Sequence, residues 1–376
     1  MGYCVSVREV ESEKIQMDDF TYQEENQCLE ENQSVEQKEI PKQRFPFSQL
    51  GIFYFCILVG TNLISIIIMA AFSFYKTIMA VIQNGDTVDV AAIMGTVSEI
   101  MLKNMALIMI IAYAITIPLC MLIVKSSPKY QNEQKEKWGI SKLLLFVMIS
   151  MGLMIFGNIV SQIGQVLLTL ITGHQMTNPI DSILNSDTIV GSIILVVIVA
   201  PFVEEFLFRK VLIDRIRVYG DKITILLSGV LFGLFHGNLF QVVYATLLGM
   251  LLAYVYLKTN RIGYCIGLHM TVNIIGGVLP LLLFKGIDLN SVTHMQVNEI
   301  MSIAPQLLAT VVLLMIEIAC MIASIVVIIN FRKKIVLSPG TIKIEKGQEF
   351  KTVCVNVGMI LFLVVSIIIF IMNAMA

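Results

Sequence analysis

Charge is scarce in this chain. Only 14% of its 376 residues are Asp, Glu, Lys or Arg, against 57% hydrophobic, and the mean hydropathy is +0.83. Soluble domains carry about 25% charged residues, so a soluble globular fold has no support. The net charge of −1 and pI of 6.4 leave no basic surface for nucleic acid. Paired cysteines are missing too. Cys4, Cys28, Cys56, Cys120, Cys265, Cys320 and Cys354 form no CxxC, and five of them lie in apolar stretches. A disulfide scaffold and a thiolate zinc site are therefore unsupported. No Walker motif, GxGxxG motif, HExxH motif or fixed-period repeat occurs. There are only four histidines.

The remaining charge is unevenly placed. Residues 1–46 hold eleven acidic and five basic residues, so the rest of the chain is net basic. This Gln/Glu/Asn-rich segment has few large apolar residues and reads as a disordered acidic cytoplasmic tail. It lacks the basic start and apolar core of a signal peptide. Its opening, Met1-Gly2-Tyr3-Cys4-Val5-Ser6, fits the loose myristoylation pattern, which is short and presupposes a eukaryotic cell.

Long apolar runs dominate the chain beyond residue 46. A span needs about 20 apolar residues. Nine candidates lie near 48–74, 104–124, 143–171, 188–208, 222–237, 239–257, 262–284, 304–330 and 352–373. The fold class is thus an all-α polytopic transmembrane bundle of eight or nine helices. Basic residues fix the orientation. Lys125, Lys129, Lys135, Lys137 and Lys142 lie between the second and third spans. Arg209, Lys210, Arg215 and Arg217 follow the fourth, Lys258 and Arg261 the sixth, and Arg332, Lys333 and Lys334 the eighth. Loops 75–103, 172–187 and 285–303 are nearly free of basic residues. With nine spans and a cytoplasmic N-terminus, every basic loop falls on one side. The chain divides into the tail (1–46), N-terminal helices (47–185), a middle third (186–285) and C-terminal helices (286–376). A small hairpin is expected near 335–350, after Ser338-Pro339-Gly340.

The middle third concentrates polar residues where lipid disfavours them. A charge at the bilayer centre costs about 2.5–3.5 kcal/mol on insertion scales. Glu205 and Arg209 are i,i+4 with the acid first, the favoured order for an intrahelical ion pair. Glu204 points about 100° away and has no partner on its own helix. It is the candidate base, with Glu205 its support. His269 and Asn273 are also i,i+4, so an imidazole and an amide share one face and could hold an oxyanion. The bland alternative is interhelical hydrogen bonding. His236 ends the fifth span. Glu317, in the eighth, reads as structural or protonated, Asp214 and Arg215 as solvated at the cytoplasmic edge, and His174 and His294 as incidental.

These motifs resemble a known family. Glu204-Glu205-x-x-x-Arg209, Phe232-x-x-x-His236 and His269-x-x-x-Asn273 occur in order on apolar helices. They are similar to those of the CPBP family, also called the Abi or CAAX-protease family, intramembrane endopeptidases that include the prenyl-protein processing protease. The resemblance covers about 186–284. It implies that Glu204, with His236, activates the attacking water. It implies that His269 and Asn273 hold the oxyanion, and that Glu205, Arg209 and Phe232 support them. Substrate would be a membrane-associated protein or peptide, prenylated or not; the Met- and Ile-rich composition of this multi-pass chain points to a prokaryotic plasma membrane.

Three other readings stay open. Glu204, His236 and His269 could ligate Zn2+ in a metalloprotease. Against that, neither histidine shows a clear carboxylate behind it in the sequence, so catalysis without a cofactor is the first expectation. A non-enzymatic immunity protein or scaffold would not need an unpaired Glu204. A transporter would show an inverted repeat, and none is apparent. The flanking basic loops place the site in the cytoplasmic half. Depth raises one tension. His269 lies about 10 Å beyond Ile262 and His236 about 21 Å beyond Lys222 at 1.5 Å per residue. The fifth helix should therefore be short, start nearer the cytosol, or kink at Gly229 or Gly233.

Overall fold

The computed structural model describes residues 44–84, 90–130, 136–173, 189–284 and 296–375. Most of the acidic tail, and His174 and His294, lie outside them. The long helices are α1 (Arg44–Asn84), α2 (Val90–Met121), α3 (Ile140–Thr172), α4 (189–219), α5 (Asp221–Phe235), α6 (Leu239–Thr259), α7 (262–284) and α8 (Val297–Phe331). A short α9 (Glu349–Cys354) leads into α10 (Val357–Met375). Among the described residues there is no β-strand.

Eight of these helices are long and apolar enough to cross a bilayer; α5, at 15 residues, is not. It is nevertheless about 22 Å long at 1.5 Å per residue and runs between the two ends of the bundle. Its start lies with the basic ends of the other helices: Lys258 pairs with Asp221 at 3.4 Å, and Arg217 donates to Asn260 at 3.4 Å. Its far end meets the end of α10, where Asn373 donates to Gly237 O at 2.9 Å. Exposed Ile67, Met315 and Ile371 suit lipid-facing surfaces. The chain is a multi-pass integral membrane protein.

The basic segments converge on one end. Tyr130 N donates to Asp214 O at 2.6 Å, Arg215 to Val124 O at 3.0 Å and Lys258 to Val336 O at 2.8 Å. Asp214 and Arg215 are not solvated, as the sequence suggested. They are buried, because their partners reach them from other helices: Tyr256 Oη donates to Asp214 at 2.9 Å. The expected hairpin near 335–350 does not form. Segment 335–348 is an extended strap whose polar groups bond to the turn after α4 instead. Asp221 N donates to Ser338 O at 3.0 Å, and Ile342 N to Val218 O at 2.9 Å. Gly220 sits at φ +98°, and a Cβ there would lie 2.8 Å from Gly340 N, so this crossing needs glycine.

α5 runs to Phe235 with no kink at Gly229 or Gly233 and is no shorter than the sequence suggested, yet His236 at its end lines one cavity with His269. Those glycines let α5 close on α6: a Cβ at Gly233 would lie 2.6 Å from Val242 O, and one at Gly229 2.8 Å from Thr246 O. Small residues bring helices together in this way where burial from water supplies no drive.

The path and the packing can each be measured. Cysteines introduced at Lys129 and Thr172 should take membrane-impermeant maleimide from opposite sides; labelling from one side would refute a crossing by α3. Gly233→Val should cost about 1–3 kcal/mol through overpacking, read as a lower thermal midpoint in detergent; an unchanged midpoint would show the α5–α6 contact to be slack.

Candidate active site

Pro201 sets up the site helix. A proline inside a helix offers no N–H and clashes with the carbonyl four residues back. The helix answers with a π turn at Leu195–Val199, with Ala200 N bonding to Leu195 O. In that register Val196 O would need the missing N–H of residue 201. Asn273 of α7 supplies the donor instead, Nδ2 to Val196 O at 2.8 Å. A second π turn, Phe206–Ile213, follows Glu205, and Tyr54 donates to Leu207 O there at 2.8 Å. A third, Ile274–Val278, follows Asn273. Single π turns interrupt α-helices mostly at functional places.

The ion pair read from spacing forms. Arg209 Nε donates to Glu205 Oε2 at 2.7 Å and Nη2 to Oε1 at 3.3 Å, with neither side chain exposed. Nη1 donates to Ser228 Oγ of α5 at 2.6 Å, and the guanidinium lies 5.4 Å from the Phe232 ring centroid. Glu205 has a second role that the sequence did not suggest. Its Oε1 lies 3.0 Å from His269 Nδ1, so His269 does have a carboxylate behind it. Only a contact between α4 and α7 could show this.

Glu204 is not isolated either. His269 Nε2 lies 3.8 Å from Glu204 Oε2. His269 is thus flanked by both carboxylates, with the Phe232 ring 5.6 Å from its centroid. His236 caps the end of α5, and its Nδ1 lies 2.8 Å from Phe232 O. A carbonyl only accepts, so Nδ1 carries the proton and neutral His236 keeps a bare Nε2. Glu204 and His236 are not hydrogen-bonded to each other. With Phe232, His269 and Asn273 they line one cavity of about 390 Å³. Glu317 is buried on α8 and does not line it.

The cavity corrects one expectation. Besides the catalytic candidates, its walls include Gln165, Phe240, Gln241 and Gly277. These lie toward the ends of α3, α6 and α7 remote from the basic loops. The cavity therefore extends from mid-bundle into the half away from those loops, not toward them. Loop charge could not show this, because it marks where helices end and not where a void between them lies.

Among the described residues no group of three or more His, Cys, Asp or Glu side chains is placed to hold a metal ion. Glu204 and His269 approach each other, but His236 does not close a third position.

Residues 186–275 match the family model described as Type II CAAX prenyl endopeptidase Rce1-like. Over 179 residues, 46% of this chain and 72% of the relative, the sequence is 26% identical to the Bacillus subtilis (strain 168) protein named "Putative membrane peptidase YdiL". No solved structure matches. The matched segment runs from the start of α4 into α7 and holds all three motifs.

The ion pair makes a direct demand. Removing one partner of a buried pair costs about 3–5 kcal/mol, because it strands the other charge. Arg209→Met and Glu205→Leu should each lose most of the folded protein, measured as the monodisperse fraction in detergent. The double variant should recover much of it. Single variants as stable as the parent would show that the pair is dispensable.

Proposed function

We propose, from an Rce1-like segment of the CPBP family carrying this geometry, that the protein is an intramembrane endopeptidase. It would hydrolyse a peptide bond of a membrane-associated protein or peptide, in the manner of CAAX-type proteases. The observation that carries the reading is the convergence of Glu204, His236, His269 and Asn273, from three separate helices, on one cavity.

Each group has a task in this reading. Water sits between Glu204 and His236 Nε2. Its oxygen attacks the scissile carbonyl carbon as Glu204 takes its proton, and the carbonyl π electrons move to oxygen. His269 Nε2–H and the second Nδ2 proton of Asn273 donate to that oxyanion. Asn273 is held for this by Val196 O, and His269 by Glu205. For Nε2 to donate while Nδ1 donates to Glu205, His269 must be imidazolium. One such proton balances two carboxylates and one guanidinium. On collapse, the C–N bond breaks and the proton passes from Glu204 to the leaving nitrogen, with His236 relaying where reach requires. General acid–base groups of this kind contribute about 10²–10⁴ in rate, and one oxyanion donor about 10²–10³.

One observation favours a metal-dependent form of the same reaction. Glu205 behind His269 is the orienting partner that metal-bound imidazoles usually have. The third ligand position is not formed, so the reading adopted is metal-free.

The test is terminal-peptide mass spectrometry on membranes from cells expressing the parent chain or Glu204→Gln. New termini should appear only with the parent, falling at least about 10²-fold in the variant. Identical termini, with the variant folded and inserted, would overturn the peptidase reading in favour of an immunity or scaffold role. Loss of the parent's termini under chelator, restored only by zinc, would replace the metal-free mechanism.

A further inference from the structure

Asn158, Gln162 and Gln165 are the three carboxamides of α3, a mostly apolar helix, and all three line the candidate catalytic cavity. Asn158 and Gln165 are half-buried and Gln162 is exposed. None has a hydrogen-bond partner among the described residues. Gln241, on the facing wall, contrasts with them: its side chain accepts from Asn238 at 2.9 Å. Glycine sets the row's position. A Cβ at Gly157 would lie 2.6 Å from Tyr244 N, so α3 lies close against α6, and the next residue, Asn158, reaches the cavity.

Carboxamides unpaired in a membrane helix are costly unless something pairs them. Each offers a donor and an acceptor, which is what a main-chain amide requires. Their spacing is i, i+4, i+7, steps of about 6 and 4.5 Å along the helix. An extended peptide presents equivalent amides every two residues, about 6.6–6.8 Å apart. Among the described wall residues there is no Lys or Arg, and the three amides carry no charge to hold a terminal carboxylate or a phosphate. The geometry points to Asn158, Gln162 and Gln165 as a subsite that binds the main chain of an uncharged, extended peptide segment and lays it toward Glu204. The inference rests on the peptidase reading and adds the form of the substrate. The segment would reach the site from the half remote from the basic loops, which the loop charges make extracytoplasmic.

The full chain carrying Glu204→Gln, in lipid nanodiscs, is titrated with two labelled pools. One is a pool of ten-residue peptides randomised over Ala, Leu, Ile, Ser and Thr. The other is the same pool N-methylated at alternate residues, which removes main-chain donors. Two or three hydrogen bonds at about fivefold each predict at least about tenfold tighter binding of the unmethylated pool. Adding Asn158→Leu, Gln162→Leu and Gln165→Leu should cut that preference below about threefold and leave affinity for the methylated pool unchanged. Gln162→Leu alone, at the exposed position, should reduce it about fivefold and guards against a misfolded triple variant. An undiminished preference in both variants, or no binding of either pool before the leucines are added, overturns the subsite. A water conduit would slow hydrolysis by the Glu204 chain and leave the preference intact, which also overturns it. If the preference is present but the chain with Glu204 cleaves neither pool, the peptidase reading fails and the subsite stands.

Discussion

The bidentate contact between Glu205 and Arg209 is the constraint on which this bundle depends. Both groups are fully buried, and neither is tolerable alone in an apolar interior. Satisfying them fixes more than one helix. The guanidinium reaches Ser228, which sets α5 against α4. The carboxylate reaches His269, which sets α7 against α4. The pair therefore aligns the three helices that carry the candidate catalytic groups. It does so from beneath the cavity, leaving Glu204 at the wall. Adjacent carboxylates thus receive opposite duties: one is consumed by structure so that the other can be free.

The same economy appears in the backbone. Pro201 removes a donor, the helix widens into a π turn, and the freed Val196 carbonyl is what positions Asn273. A broken helical bond becomes the anchor of a polar side chain on a neighbouring helix. Irregular backbone in a membrane is tolerated only where protein re-satisfies it. Here Asn273 and Tyr54 both do so, one at each π turn flanking the Glu204-Glu205 pair.

Much of this was legible in the sequence, and the reason is periodicity. Two residues four apart on a helix share a face, so Glu205 with Arg209, and His269 with Asn273, could be read from spacing alone. The eight long spans could be read from their apolar runs. What escaped was whatever depends on contacts between helices. The burial of Asp214 and Arg215, the bond from Glu205 to His269, and the strap at 335–348 pairing with the turn after α4 are all of this kind. The amides of α3 escaped for another reason. Three carboxamides in 33 residues barely lower a helix's hydropathy, and only the cavity shows that they point the same way.

The placement of that cavity bears on how a hydrolase works inside lipid. Hydrolysis needs water, and the acyl region supplies almost none. In the proposed peptidase, a cavity reaching from Glu204 toward one end of the bundle, with amides along its wall, would suit water better than lipid chains, which gain nothing from carboxamides. The absence of Lys and Arg among the described wall residues matters equally. A lysine there would attract anionic headgroups and compete with Arg209 for the carboxylates. The polar groups are thus graded: an ion pair sealed at the base, ionisable residues at the wall, and neutral amides along the approach. Each step outward carries less charge, and in the proposed peptidase such a gradient would let a buried base stay reactive without being drowned or stranded.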